Sequence, residues 1–164
     1  MPKANSTTAG VWRHPVHFLA FGLGAGLMPV APGTFGTLVA LPLYYFLQGL
    51  ASVWYLLVLA GMFVVGIALC ARTARDLQTP DHSGIVWDEI VGYLVSMFMA
   101  PAGWVWMLLG FLLFRLFDIW KPFPIRWLDR HVHGGLGIML DDVAAGVAAA
   151  LVLQGSYWVW TLNS

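Results

Sequence analysis

Val53-Trp-Tyr-Leu-Leu-Val-Leu-Ala-Gly-Met-Phe-Val-Val-Gly-Ile-Ala-Leu-Cys70 holds no charge and no proline. A run of this kind suits a helix crossing a bilayer, which needs roughly 20 mainly apolar residues at about 1.5 Å of rise each. It has company. No charge lies between Arg13 and Arg72, between Glu89 and Arg115, or beyond Asp142. Val143–Trp160 repeats the pattern, and Ile85–Ala100 and Trp104–Trp120 make a hairpin turned by Pro101-Ala102-Gly103. Gly36–Gln48 is short and contains Pro42, so its span must begin inside the glycine-rich stretch before it. His17–Met28 is fenced by Pro15 and Pro29 and reads as a re-entrant or interfacial segment. The expectation is an all-α integral membrane bundle of about five membrane segments with a broken or re-entrant N-terminal segment.

Composition agrees. Hydrophobic residues make up 60% of the 164 and charged residues 10%, and the mean hydropathy is +0.78. A soluble domain carries far more polar surface, so the apolar excess must face lipid. The formal net charge of zero gives no reason to expect nucleic acid or a polybasic tether. Cys70 is the single cysteine, which excludes an internal disulfide. Residues 1–15 read as a cytoplasmic tail and 16–164 as one membrane-embedded domain. A cleaved signal peptide is the rival for the N-terminus, because Lys3 and Arg13 precede an apolar stretch. Against it stand His17, the glycines and the lack of a clear small-x-small cleavage site.

The basic residues set the orientation. Arg72 and Arg75 lie in one connection, Lys121, Arg126 and Arg130 in another, and Lys3 and Arg13 at the N-terminus. The alternate connections carry no charge, so the basic ones belong in the cytoplasm. Trp54, Tyr55, Trp104, Trp106, Tyr157, Trp158 and Trp160 would then form an aromatic belt at the far face.

The acids tell more. All eight lie at Asp76 or later, and five fall at the cytoplasmic ends of expected spans: Asp88, Glu89, Asp118, Asp141 and Asp142. A carboxylate deep in a bilayer costs roughly 2.5–3.5 kcal/mol, and five brought together also repel one another. A hard divalent cation removes both problems, and Mg2+ suits a few carboxylates, several waters and a substrate phosphate. Simpler origins exist for some of them. Acids opening a helix are favoured by its dipole, which would explain Asp141 and Asp142 alone. Arg115 and Asp118 could be an ordinary i,i+3 pair.

Residues 22–37, Gly-Leu-Gly-Ala-Gly-Leu-Met-Pro-Val-Ala-Pro-Gly-Thr-Phe-Gly-Thr, cannot form a plain helix, because Pro29 and Pro32 interrupt it. Its free N–H groups and the hydroxyls of Thr34 and Thr37 could bind an anion, or its glycines could simply permit close packing. Arg115 and Lys121 flank Asp118 and are the better phosphate ligands, whereas Arg126 and Arg130 are as readily anchors to anionic headgroups. His133, before the expected flexible loop Gly134-Gly-Leu-Gly137, is a weaker candidate for a general acid, and His82 shares its ambiguity.

Four stretches together resemble one family. Pro32-Gly-Thr-Phe-Gly-Thr37, Ile85-Val-Trp-Asp-Glu-Ile-Val-Gly92, Arg115-Leu-Phe-Asp-Ile-Trp-Lys-Pro-Phe-Pro-Ile125 and Gly134-Gly-Leu-Gly-Ile-Met-Leu-Asp-Asp-Val-Ala-Ala-Gly146 are similar to the signatures of bacterial phosphatidylglycerophosphatase A. Thr37 stands where the family commonly has serine. The resemblance runs from about His17 to Gly146. It implies a helical fold around a central helix and a magnesium-dependent phosphatase of the bacterial inner membrane, multi-pass, with its site on the cytoplasmic face. The reaction implied is removal of the terminal phosphate of phosphatidylglycerophosphate, a lipid substrate, to give phosphatidylglycerol; no protein partner is implied. By motif, Asp88, Glu89, Asp118, Asp141 and Asp142 would be metal and catalytic carboxylates, Thr34, Arg115 and Lys121 would meet the phosphate, and Asp81 is a weaker candidate.

Water activated by metal is the expected nucleophile, since the Asp-x-Asp pattern of aspartate-nucleophile phosphatases is absent. Two other readings use the same acids: a phosphatidyltransferase, whose long spaced-aspartate signature is missing, and a divalent-cation transporter, which needs acids near mid-membrane. Asp76 and Asp129 are read as bystanders.

Overall fold

The structure is a computed structural model that describes residues 11–80 and 82–163, and all the regular structure in them is helical. In chain order the elements are α1 (Pro15–Ala20), a 3₁₀ turn (Gly22–Leu27), α2 (Pro32–Leu47), α3 (Ser52–Asp76), α4 (Trp87–Ser96), α5 (Trp104–Trp120), α6 (Ile125–His131) and α7 (Gly134–Leu162). Most of the tail, including Lys3, lies outside the described residues.

Two helices, α3 with 25 residues and α7 with 29, are long and apolar enough to cross a membrane. The hairpin arm expected over Ile85–Ala100 is different. Its helix, α4, has only 10 residues, about 15 Å, or half the thickness of a bilayer's apolar core. Ile90, Val91, Tyr93 and Leu94 are all buried. Past its first turn, which carries Asp88 and Glu89, the helix is apolar on nearly every side, and the protein itself supplies the apolar environment that such a helix needs. α4 is the central helix.

Polar ties at apolar crossings hold α4 in place. The Trp87 indole donates to the Met62 carbonyl at 3.0 Å, and the Tyr55 hydroxyl donates to the Leu94 carbonyl at 2.7 Å. These two bonds set α3 and α4 antiparallel. They also correct the aromatic belt: Tyr55 is a buried core residue, whereas Trp54, Trp104 and Trp158 are exposed. Trp106 packs edge-on against Tyr157 at 5.3 Å, which joins the start of α5 to the end of α7.

Glycines allow the closest approaches. A Cβ on Gly146 would lie 2.3 Å from the Gly92 carbonyl oxygen, and one on Gly135 would lie 2.1 Å from that of Ile67. Small residues thus bring α7 against both α4 and α3 with backbone nearly touching backbone. The expected flexible loop at Gly134–Gly137 is therefore the first turn of α7. Gly134 adopts φ +73, a conformation that glycine reaches without strain, and the chain turns directly into helix.

The N-terminal stretch is broken as expected, but Pro32 does not break a helix. It begins one, at a position where its missing N–H costs nothing. Before it, Leu23, Gly24 and Ala31 have positive φ. Gly26 and Gly36 abut Gly84 and Val86, so these two glycines serve close packing. His17 on α1 is buried, with Nδ1 3.0 Å from the Thr73 hydroxyl and Nε2 3.5 Å from Asp76.

Candidate active site

The last turn of α5 meets the starts of α2, α4 and α7 at one end of the bundle. There the chain encloses a cavity of about 410 Å³. Asp88, Glu89, Arg115, Asp118, Lys121, His133, Asp141 and Asp142 all line it, together with Ala31, Pro32 and Gly33. The eight side chains come from separate motifs over a span of 55 residues in the chain (88 to 142).

Each carboxylate arrives by a different route. Asp88 and Glu89 stand in the first turn of α4. Asp118 is in the last turn of α5, which ends at Trp120 with Lys121 in a left-handed cap before Pro122. Asp141 and Asp142 do not open α7, because the helix begins at Gly134, two turns earlier. The dipole effect fades within the first turn, so it does not account for these two acids.

Side chains of Asp88, Glu89 and Asp142 offer oxygens that all lie within 4.8 Å of one another. Asp88 Oδ1, Glu89 Oε2 and Asp142 Oδ2 are buried and lack a hydrogen-bond partner among the described residues, as does Arg115 Nε. An unsatisfied buried polar group costs about 1–3 kcal/mol, and a charged one more. Three neighbouring acids, each with an unsatisfied buried oxygen, form a donor set suited to a hard cation.

Both basic residues are committed to acids. Arg115 Nη1 donates to Asp118 Oδ2. Lys121 Nζ bridges Asp129 at 2.8 Å and Asp141 at 2.5 Å. Burial works against its ammonium form, but the hydrogen bonds to Asp129 and Asp141 outweigh it and raise its pKa above the usual lysine range. Asp129 is therefore no bystander in position: it lines the cavity and fixes Lys121. The only hint in the sequence is an acid between two sets of site residues. Asp76 is held elsewhere, by Arg72 at 2.9 Å and by His17.

Some expected ligands are not brought in. Thr34 and Thr37 do not line the cavity. Thr37 is fully buried and its hydroxyl donates to the Gly33 carbonyl at 2.8 Å, so it is spent within its own helix. Of the glycine-rich stretch only Ala31–Gly33 reach the site. A Cβ on Gly33 would sit 2.2 Å from Glu89 Oε1, so glycine is needed to let α2 close over the acids. Asp81 lies outside the described residues, although Pro80 and Ser83 line the cavity. His82 instead accepts a hydrogen bond from the Gly84 amide at 3.0 Å.

Among the described residues, six carboxylates and two fixed cations line this cavity. A phosphate dianion entering it alone would meet net repulsion, whereas a divalent cation would be drawn in and would reverse the field.

Comparisons with known proteins identify the family. The phosphatidylglycerophosphatase A family model matches residues 18–157. The chain is 46% identical to the phosphatidylglycerophosphatase A of Escherichia coli K12, over 88% of this chain and 86% of that protein. With the Haemophilus influenzae protein of the same name it shares 43% identity over 89% of this chain and 91% of the relative. A Bacteroides thetaiotaomicron protein, provisionally named a phosphatidylinositol-3-phosphatase, is 35% identical over 84% of this chain and 91% of its own length. No solved structure matches. With a family model spanning the whole site and close relatives of nearly full length, the chain belongs to the phosphatidylglycerophosphatase A family.

Proposed function

We infer that this chain removes the terminal phosphate of phosphatidylglycerophosphate to leave phosphatidylglycerol, with magnesium held by Asp88, Glu89 and Asp142. One observation carries the metal: the three acids whose oxygens cluster are the same three that each keep a buried oxygen without a partner. Asp118 and Asp141 each engage a cation through Oδ2, which leaves a second carboxylate oxygen for ligation. When bound, magnesium would neutralise charge on a phosphate oxygen and order a water for attack.

The chain's own residues do the rest. Lys121, fixed in advance by Asp129 and Asp141, presents its remaining proton to the phosphate at no cost in reorganisation. Arg115, held by Asp118, offers further N–H donors to the equatorial oxygens, where phosphoryl transfer needs them. His133 immediately precedes α7 at the cavity's edge, where a proton could pass to the leaving alkoxide. Fully buried Tyr93, Leu94, Met97 and Leu153 fill the bundle beyond the acids, which suits a closed site better than an ion path.

The membrane reading follows from the same layout. Residues 16–164 form one domain in which α2, α3, α5 and α7 wrap the central α4, and α1 with the 3₁₀ turn forms a re-entrant N-terminal segment. Arg72, Arg75, Lys121, Arg126 and Arg130 lie toward the site's end of the bundle, which under the positive-inside rule supports a site on the cytoplasmic face of the bacterial inner membrane. The lipid's acyl chains would stay in the bilayer while its headgroup enters the cavity.

Purified protein in mixed micelles should release inorganic phosphate from phosphatidylglycerophosphate when magnesium is present and stop when it is chelated. No release with magnesium would refute the phosphatase assignment, and equal release after chelation would refute the metal. Thr37→Val should retain wild-type kcat/KM in the same assay, because its hydroxyl never faces the substrate.

A further inference from the structure

Next to the acid-lined cavity is a second one, of about 380 Å³, with the opposite charge. Lys121 lies between them, since it lines both. Arg126 and Arg130 supply the other cations, and no acid among the described residues lines this cavity. Trp120, Phe123 and Trp127 supply aromatic surface.

The turn from α5 into α6 builds this groove. Past Lys121 the chain runs through Pro122, Phe123 and Pro124, then starts α6 at Ile125, whose side chain is buried as the anchor. Arg126 folds back and donates to the Trp120 carbonyl at 3.2 Å, which leaves most of its five N–H donors facing outward. His131 stacks on Trp127 with ring centroids 4.8 Å apart, stiffening that wall. Phe123 is 85% exposed, and Trp120 and Trp127 are at least half exposed. Large aromatic rings uncovered beside arginines suit a ligand that is anionic at one point and apolar around it.

We propose that this groove is the subsite for the phosphodiester of the lipid substrate. Arg126 and Arg130 hold its anionic oxygens, and Trp120, Phe123 and Trp127 lie in the interfacial layer beside the glycerol that bears the acyl chains. The terminal phosphate reaches past Lys121 into the acid-lined cavity. The proposal rests on the lipid phosphatase reading, which gives the substrate two phosphates joined by one glycerol. Two adjoining cavities that share a lysine match two phosphates on a short tether. Charge complementarity divides them: the phosphodiester needs only fixed cations, whereas the monoester needs the metal that the acids collect. Adhesion to the bilayer surface would use the same aromatic rings, but it gives no reason for the groove to share Lys121 with the reaction site.

The test uses the full chain in uncharged detergent micelles and compares Arg126→Gln/Arg130→Gln with Arg126→Lys/Arg130→Lys. The glutamine pair should raise KM for phosphatidylglycerophosphate by ~10-fold, with kcat held within about two-fold. It should weaken inhibition by phosphatidylglycerol, which carries only the phosphodiester, by a similar factor. Inhibition by inorganic phosphate should not change, and the lysine pair should recover part of the loss. Unchanged KM and unchanged phosphatidylglycerol inhibition would overturn the subsite. An effect seen only in vesicles of anionic lipid would overturn it too, by giving the groove to the membrane surface. A parallel loss of kcat and of phosphate inhibition would make the arginines supports of the acid cavity and refute the proposal. If the wild type releases no phosphate at all, the fault lies with the functional reading, and that is known before any variant is made.

Discussion

Asp142→Asn should lower magnesium-dependent phosphate release by at least ~100-fold, while the metal-free protein stays as heat-resistant as the parent or becomes more so. The two effects have one cause. Asp142 is buried against Asp88 and Glu89, and one of its oxygens lacks any protein partner. Without metal the three acids crowd each other, so exchanging one carboxylate for a neutral amide of the same shape relieves repulsion. With metal the same exchange removes a ligand. Thermal inactivation in detergent separates the two: magnesium should raise the midpoint of the wild type by preferential binding to the folded state, and this rise should shrink or vanish in the variant. Asp88→Asn should behave alike. If a variant lost stability without metal as well as activity, its acid would be a structural hydrogen-bonding residue and the metal assignment would fail at that position. Wild-type turnover in either variant would remove that residue from the site.

The grouping of the acids was more legible in the sequence than the architecture that gathers them. Acids in an apolar chain are expensive wherever they lie, so their grouping pointed to a shared site before any fold was known. Positions within helices were read less well. The glycines at 134, 135 and 137 suggest a loop by propensity, yet all three lie in α7, and 135 and 137 are glycine because a Cβ would strike the Ile67 or Val132 carbonyl oxygen. Propensity sees local backbone freedom and not the neighbour that demands it. The same limit hid the nature of α4. An apolar run reports that its surroundings are apolar, and lipid and packed protein satisfy it equally, so a 10-residue core helix passed for part of a span. Thr37 and Asp129 were misjudged through hydrogen bonds that depend on the fold. One hydroxyl turned inward to Gly33, and one carboxylate turned toward a lysine eight residues away.

Gly146→Ala should cost about 1–3 kcal/mol of stability and, in the protein that still folds, lower turnover by ~100-fold. The added methyl would stand 2.3 Å from the Gly92 carbonyl oxygen and 3.0 Å from Val95 Cβ. The first of these is backbone of a buried helix, so the clash can be relieved only by pushing α4 and α7 apart. Both helices carry the same spacing, Asp88 with Gly92 and Asp142 with Gly146. Residues four apart share a helix face, so each glycine lies one turn below its acid. A Cβ on Gly92 would in turn lie 2.8 Å from the Asp142 carbonyl oxygen. The crossing that lets the helices touch is thus the crossing that sets how far apart the two acids stand. Widening it separates oxygens that must share one ion, and a displacement near 1 Å is enough to cost two orders of magnitude. Gly155→Ala on the same helix is the control. Nothing lies within 4 Å of its Cβ, so it should leave turnover unchanged and stabilise slightly through helix propensity. Magnesium affinity decides between packing and positioning. If Gly146→Ala loses stability but binds magnesium and turns over like the wild type, the crossing holds the bundle together without setting the acids.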